Sequence, residues 1–228
     1  LRQSKSSPTI VKTRIVGCSQ QLLQFDRETT PHADILSLLR GDYSDLLPSH
    51  DMVICSNYAK GSLQFIVELI AQARHIGKPV LVDPIGYDYS KYCGATALTP
   101  NRAELKLVVG EWCSEEELAH KAQRLRKDYQ IESLVLTRSE EGIPVFDDDG
   151  SIHFPAVTRD VFDVTGAGDS VIATLACLIS IGLTIRQAAK LANKAEGIVV
   201  GKIGAATISL DELIPTSEKN ESMGFALT

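Results

Sequence analysis

The sequence predicts an α/β fold: a three-layer arrangement in which helices cover both faces of a mostly parallel central sheet. Two patterns in the sequence support this prediction. Short buried strand patterns alternate with helical patterns from about residue 51 to residue 199, and an alternating hairpin pattern comes before them. Strands that alternate with helices form a parallel sheet covered on both faces. A chain of 228 residues is long enough for one or two domains with a sizeable core.

The chain begins with a predicted hairpin. Residues 9–17 alternate between apolar and polar side chains, a turn pattern follows at Gly17, and residues 20–26 form the second strand pattern. Its polar face carries Lys12, Arg14, Gln21 and Asp26. Residues 35–47, after the hairpin, have helical spacing.

The later elements follow in order along the chain. We predict strands at 51–56, 79–83, 95–99 and 133–137, a hairpin at 143–154, and helices at 62–76, 101–109, 115–129, 167–181 and 185–199. Ligands of such sheets bind beyond the carboxyl ends of the strands. Four polar residues end or follow predicted strands and therefore mark the candidate site: Asn57, Asp83, Asn101 and Thr137.

Composition excludes several classes of protein. A net charge of −6 argues against nucleic acid as the main partner, because phosphate backbones require a basic surface. No apolar run is long enough to cross a bilayer, so we expect no membrane partner. The five cysteines are scattered without metal-ligand spacing, which indicates free thiols in a reducing cytoplasm.

The most informative motif is the segment Asp-Val-Thr-Gly-Ala-Gly-Asp-Ser at 163–170, which opens a long helical pattern. Small residues at a helix start let backbone N–H groups point at an anion, and the helix dipole adds positive potential. Asp169 beside such an anion is suited to accept a proton, as phosphoryl transfer to a hydroxyl requires. The alternative interpretation of the glycines is tight helix packing or a simple turn.

A second polar pair lies at the start of the 101–109 helix. Asn101 and Glu104 are three residues apart and share a helix face. A carboxylate there is suited to hold water around Mg²⁺, which prefers oxygen ligands. Glu104 has a simpler explanation as an acid in the first helical turn.

These motifs resemble those of a known family. The run 163–169 is similar to the Asp-x-x-Gly-Ala-Gly-Asp signature of the PfkB, or ribokinase-like, carbohydrate kinases, and 99–104 resembles their Asn-x-x-Glu motif. The resemblance extends over residues 7–213 and narrows to the branch that phosphorylates D-glycero-β-D-manno-heptose 7-phosphate. The segments that carry this narrower likeness are 8–14, 20–22, 56–61, 94–96, 136–142 and 199–204.

The resemblance assigns roles to individual residues. Asp169 is implied as the catalytic base, with the N–H groups of Gly166, Ala167 and Gly168 as an anion hole for the transferring phosphoryl group. Implied ATP and Mg²⁺ contacts are Asn101, Arg102, Ala103, Glu104, Thr137, Ser139 and Asn193. The hairpin at 9–26 is implied as part of a lid over the sugar, and we call it the lid hairpin. Implied sugar contacts are Arg14, Gln20, Gln21 and Lys60.

The same resemblance implies further partners. Asp163, Thr165 and the loop 202–207 match a region that binds a monovalent cation such as K⁺. The substrates are a sugar phosphate and ATP, in ADP-heptose and lipopolysaccharide synthesis, and we expect a homo-oligomer, a dimer. Simpler alternatives remain: Asp163 braces its loop, Asn193 lies on an outer helix face, and Arg14 and Lys60 are solvated.

The sequence departs from the family pattern at several places. The 228 residues lack an early strand–helix block with its sugar-binding aspartate and paired glycines, and they lack a nucleotidyltransferase motif. Asn57 and Ile85 stand where the heptose branch has Asp and Lys. We therefore expect one incomplete kinase domain at 1–228, with a nucleotide-binding core at 50–213. The alternatives are a kinase for another sugar and a non-catalytic nucleotide-binding remnant.

Overall fold

A computed structural model describes residues 8–17, 20–157 and 161–214. The strands are β1 Val11–Gly17, β2 Gln20–Arg27, β3 Val53–Ser56, β4 Val80–Asp83, β5 Ala97–Leu98, β6 Ser133–Val135, β7 Ile143–Asp147 and β8 Gly150–Phe154. The helices are α1 Ala33–Leu46, α2 Ile66–His75, α3 Arg102–Val109, α4 Glu115–Asp128, α5 Ala167–Ser180, α6 Ile185–Val199 and α7 Leu210–Leu213. No helix in these ranges is long and apolar enough to span a bilayer.

Six strands form the central sheet in the order β3-β4-β5-β6-β7-β8. The four strands β3 to β6 run parallel, and β7 and β8 complete the sheet as an antiparallel hairpin. β3 has one neighbour among the described strands, so its outer edge is open. The predicted α/β class with a mostly parallel sheet is confirmed.

Alternate residues of each central strand face opposite helix layers. Val80 and Val82 of β4 pack in a core with α2, α3 and α4, whereas Leu81 between them packs in a second core with α5 and α6. These three side chains are at most 1% exposed. Burial on both faces explains why the strand is a continuous apolar run rather than an alternating one.

The lid hairpin is confirmed as an antiparallel pair outside the central sheet. Arg14 lies opposite Gln24, and the register shifts between Ile15 and Val16. Bulges of this kind bend a strand and increase its twist. Large apolar side chains of the hairpin are exposed, including Leu22 at 67% and Phe25 at 54%.

Several predicted boundaries were too wide. Helix α2 begins at Ile66 rather than residue 62, because residues 62–65 form turns and the N-cap Phe65 has non-helical angles, with φ −97° and ψ 17°. The strand predicted at 95–99 is reduced to Ala97–Leu98. The 133–137 strand ends at Val135, although Thr137 still forms an isolated parallel bridge with Asn101.

We predict that Gly142→Ala destabilises the fold by about 3 kcal/mol, because it combines left-handed strain with overpacking. Gly142 has a φ of 86°, and an added Cβ would overlap the backbone of Phe154 and Ala156. Gly77→Ala is the matched control, because Gly77 has a φ of 70° but open space at the Cβ position, so it should cost about 1 kcal/mol. Urea unfolding measures both. An equal loss of unfolding free energy in both variants would show that steric crowding at Gly142 adds no cost.

Candidate active site

The lid hairpin, the loop after β3 and the start of α5 enclose a cavity of about 720 Å³. The cavity lies beyond the carboxyl end of β3, where ligands of parallel sheets bind. Its lining residues are Ile10, Lys12, Arg14, Gln24, Ser56, Asn57, Tyr58, Lys60, Ser62, Leu63, Val164, Thr165, Gly166 and Asp169.

Helix α5 begins immediately after Gly166, whose φ of 77° is left-handed. The first N–H groups of a helix have no partner within it and carry positive potential. One of the three implied anion-hole donors is engaged, because Ala167 N donates to Val164 O at 3.2 Å. A Cβ on Gly168 would meet nothing within 4 Å, so the tight-packing alternative for this glycine is wrong. The helix start is open to a ligand at Gly168.

Asp163 braces the loop that leads into α5. One carboxylate oxygen accepts from Thr165 N at 2.9 Å, and the other accepts from Gly204 N at 3.0 Å. Hydrogen bonds from Thr165, followed by that from Gly204, hold the pKa of Asp163 below its ordinary value. The brace suggested as an alternative is therefore present. The monovalent-cation role of Asp163 and Thr165 stays a prediction.

Asp169 lies in the first turn of α5, and its Oδ1 accepts a hydrogen bond from the Tyr58 hydroxyl at 2.9 Å. Asp83 ends β4 on the same side of the sheet. Burial, and next the charges of Glu104 and Asp169, raise the pKa of Asp83 to about 7. Three acidic residues thus converge at the carboxyl ends of the strands. Asp83 was noted as a strand-end residue but was not assigned a role from sequence.

Asn101 and Glu104 form a reciprocal cap at the start of α3. Asn101 Oδ1 accepts from Glu104 N at 2.9 Å, and Glu104 Oε2 accepts from Asn101 N at 2.8 Å. Burial raises the pKa of Glu104, so its carboxylate carries a cost that capping only partly offsets. Glu104 does lie in the first turn of α3, as its simpler explanation has it, and its charge also raises the pKa of Asp83.

Two neighbouring residues, Arg102 and Ala103, were also predicted to contact the nucleotide. Arg102 pairs with Glu141 at 2.5 Å and lies 5.8 Å from the Trp112 ring centroid. Ala103 is exposed. The Arg102 pair ties α3 to the loop after β6, so in this structure its guanidinium is already engaged with protein groups.

A second cavity, of about 350 Å³, brings together Ser139, Asn193 and Ala167. Asn193 is 5% exposed and donates to Pro155 O at 2.8 Å, so its placement on an outer helix face is wrong. Thr137 N donates to Pro100 O at 3.0 Å beside the bridge to Asn101.

Glu196 also lines this second cavity and was missed from sequence. Burial raises the pKa of Glu196 to about 7. A glutamate inside the α6 pattern gives no sequence signal of its own, because α6 is amphipathic and carries other charges that face solvent.

Of the predicted sugar contacts, Arg14 and Lys60 line the larger cavity. Arg14 Nε donates to Gln24 Oε1 at 3.2 Å, and Lys60 pairs with Glu28 at 2.5 Å. Gln20 is exposed near the hairpin turn and is not among the lining residues, and the side chain of Gln21 is outside the described part. Gln24 was missed, although strand alternation places it on the face of Asp26.

The two unusual residues, Asn57 and Ile85, meet at one hydroxyl group. Asn57 Nδ2 donates to Tyr92 Oη at 2.8 Å, and Ile85 N donates to the same oxygen at 3.0 Å. These hydrogen bonds to Tyr92 connect the two segments that carry Asn57 and Ile85.

The acidic cluster fits an Mg²⁺ ion held through water. Carboxylate oxygens are the donors that Mg²⁺ prefers, and it typically takes only one or two from the protein. No group of three or more His, Cys, Asp or Glu residues within the described ranges is arranged to hold a metal directly. The fit therefore depends on Asp83 and Glu104 together with phosphate oxygens.

The chain is similar in sequence to carbohydrate kinases. Residues 2–213 match the model of the pfkB family of carbohydrate kinases. The chain is 47% identical over 206 residues to D-beta-D-heptose 7-phosphate kinase of Bordetella bronchiseptica, covering 90% of this chain and 66% of that protein. It is 45% identical to the bifunctional protein HldE of Aeromonas hydrophila, covering 96% of this chain but only 46% of that protein.

The fold has close structural relatives. Ribokinase from Giardia lamblia superposes with a TM-score of 0.76 at 20% identity, covering 93% of this chain and 73% of that one. Ribokinase from Thermotoga maritima gives a TM-score of 0.74 at 19% identity, covering 90% and 68%. At these identities the likeness concerns the fold, and the ribokinase-like arrangement is confirmed.

We predict that Asp83→Asn stabilises the chain increasingly as pH rises from 4 to 8. A carboxyl group with a raised pKa binds its proton more tightly when folded, so wild-type stability falls as pH rises toward 7. Removing the charge should raise the free energy of unfolding by on the order of 2 kcal/mol at pH 8 and by little at pH 4. Urea unfolding without Mg²⁺ measures this difference.

Asp88→Asn is the control of opposite sign. Hydrogen bonds from Ser90 lower the pKa of Asp88, so this variant should be less stable than wild type near pH 7, with the difference disappearing toward acid pH. A constant effect of Asp83→Asn across the pH range would contradict the buried acidic cluster.

Proposed function

Because this chain belongs to the pfkB family of carbohydrate kinases, we propose that it transfers phosphate from ATP to D-glycero-β-D-manno-heptose 7-phosphate at the anomeric hydroxyl. One observation carries the proposal. The larger cavity places Asp169 and the start of α5 in the same space as Lys12, Arg14 and Lys60. A base, an anion site and a cationic wall are what a phosphorylated acceptor requires.

In the proposed reaction, Asp169 accepts the proton of the anomeric hydroxyl as its oxygen attacks the γ-phosphorus. A new oxygen–phosphorus bond forms while the bond from that phosphorus to the β–γ bridging oxygen breaks, and ADP leaves. The free first-turn N–H groups of α5 stabilise negative charge on the transferring group. Positioning and charge stabilisation supply most of the rate enhancement in such transfers.

The acceptor's own phosphate has a suitable place on the hairpin side of the cavity. Lys12 and Arg14 project from β1 into the cavity, and Lys60 lies across from them, paired with Glu28. Arginine and lysine are the usual phosphate partners because their hydrogen bonds are charge-assisted. This cationic wall favours a sugar phosphate over an unphosphorylated sugar.

ATP and its ions occupy the remaining places in the proposal. The smaller cavity with Ser139 and Asn193 takes the nucleoside, and the start of α3 lies along the phosphates. Asp83 and Glu104 would hold Mg²⁺ through water, and the ion would neutralise charge on the phosphates. Asp163, Thr165 and the 202–207 loop are the proposed K⁺ region.

The chain spans about two thirds of one curated relative and less than half of the bifunctional ones, so the activity of either whole protein is carried over only as a proposal. We place the reaction in ADP-heptose synthesis for lipopolysaccharide, in the cytoplasm where ATP is available. We also propose a dimer, with residues 50–213 as the nucleotide-binding core of one kinase domain.

Asp169→Asn should lower kcat by about 10³-fold, because a positioned base contributes between 10² and 10⁴ to the rate. The measurement is sugar-dependent ADP release with heptose 7-phosphate, and Asp34→Asn on the exposed start of α1 is the control. Equal background turnover in wild type and Asp169→Asn would favour the non-catalytic remnant. Faster turnover with fructose phosphates or nucleosides would favour another acceptor.

Arg14→Gln should raise KM for heptose 7-phosphate about tenfold with little change in kcat, because it removes one charge-assisted contact to the acceptor phosphate. KM for unphosphorylated heptose should not change. Arg27→Gln is the matched control, because Arg27 lies on the same hairpin but not in the cavity. An equal rise in KM for both sugars would contradict a phosphate site at Arg14.

A further inference from the structure

The proposed reaction assigns no role to Tyr58, which lines the larger cavity. Tyr58 is 48% exposed, yet its hydroxyl donates to Asp169 Oδ1 at 2.9 Å across 111 residues of sequence. An exposed tyrosine has no need of a carboxylate partner, because water satisfies its hydroxyl group. The contact with the proposed base therefore invites a functional explanation.

The loop that carries Tyr58 is fixed on both sides of it. Asn57 donates to the Tyr92 hydroxyl at 2.8 Å and accepts from Ala59 N at 3.0 Å. Ala59 has a φ of 54°, an unusual conformation for a residue with a side chain. Gly61 follows with a φ of 88° and a Cβ position only 3.0 Å from Thr30. The loop conformation is specific, and it directs Tyr58 toward α5.

The same loop contacts the lid hairpin at two places. Lys12 Nζ of β1 lies 5.5 Å from the centroid of the Tyr58 ring, within the range of a cation–π interaction. Lys60 pairs with Glu28, just beyond the end of β2, at 2.5 Å. Tyr58 is therefore in contact with the hairpin through its ring and with Asp169 through its hydroxyl group.

We propose that Tyr58 is a positioning residue for the base: its hydroxyl holds Asp169 by Oδ1, so that Oδ2 is presented to the acceptor hydroxyl. Rotation about the last bond of an aspartate side chain is broad and soft, so a second contact is needed to fix it. A hydrogen bond to a carboxylate is charge-assisted and directional. The ring contact with Lys12 makes this orientation depend on the lid hairpin.

Tyr58 is suited to remain a donor throughout the reaction. Burial, followed by the hydrogen bond to Asp169, raises the pKa of Tyr58, so the phenol keeps its proton at neutral pH. Tyr58 then takes no proton from the acceptor. That proton goes to Asp169 Oδ2 as the oxygen–phosphorus bond forms, and ADP departs as before.

Tyr58→Phe tests the inference, which rests on the proposed function. This variant keeps the ring beside Lys12 and removes the hydroxyl group. We expect kcat with heptose 7-phosphate to fall by 10- to 100-fold, because a misdirected catalytic group costs about this much. KM for the sugar and for ATP should stay within twofold of wild type. Tyr87→Phe is the control, because Tyr87 is 82% exposed outside the cavity.

Each result has a distinct meaning. Wild-type kcat in Tyr58→Phe would overturn the positioning role and leave the proposed function standing. A raised KM with unchanged kcat would also overturn it, because Tyr58 would then be a sugar contact. Absence of turnover in wild type with every sugar phosphate would overturn the proposed function and the positioning role together. Tyr58→Leu should match Tyr58→Phe in kcat if the hydroxyl group is the active part.

Discussion

The start of α5 imposes the constraint on which the site depends. Its first-turn N–H groups and Asp169 have to face one point in space, and the preceding loop has to turn sharply to bring them there. The Asp163 carboxylate holds this turn by accepting hydrogen bonds from the backbone N–H groups of Thr165 and Gly204. Gly166 in the left-handed region completes the turn. The sheet supplies the platform, and these contacts decide the direction of the helix start.

Charge is distributed unevenly around that point. Asp83, Glu104 and Asp169 gather at the carboxyl ends of the strands, and burial together with mutual repulsion raises the pKa of Asp83 to about 7. A protein tolerates such a cost where a cation is to be bound, because Mg²⁺ removes the repulsion. Lys12 and Arg14 on the hairpin give the opposite wall a positive character. The two walls therefore suit different parts of the proposed substrates.

Sequence patterns were sufficient for the layered fold, because buried parallel strands such as 80–83 and the α5 and α6 helices have strong local signals. The pair Asn101 and Glu104 and the motif at 163–169 were also recognisable, since each lies within one short segment. The hydrogen bond from Gly204 to Asp163 spans 41 residues and has no such signal. Tyr58, Gln24 and Glu196 were missed. Their importance comes from contacts made by folding, such as the bond from Tyr58 to Asp169, and spacing within one segment cannot indicate those.

The proposed function requires phosphate transfer at the start of α5, with Asp169 as base. A crystal structure of the chain with ADP, Mg²⁺ and heptose 1,7-bisphosphate would show whether the reacting groups meet there. We predict that the 1-phosphate lies against the N–H group of Gly168, with an Asp169 carboxylate oxygen about 3 Å from the anomeric oxygen. A 1-phosphate bound instead at Lys12 and Arg14, away from Asp169, would contradict the account.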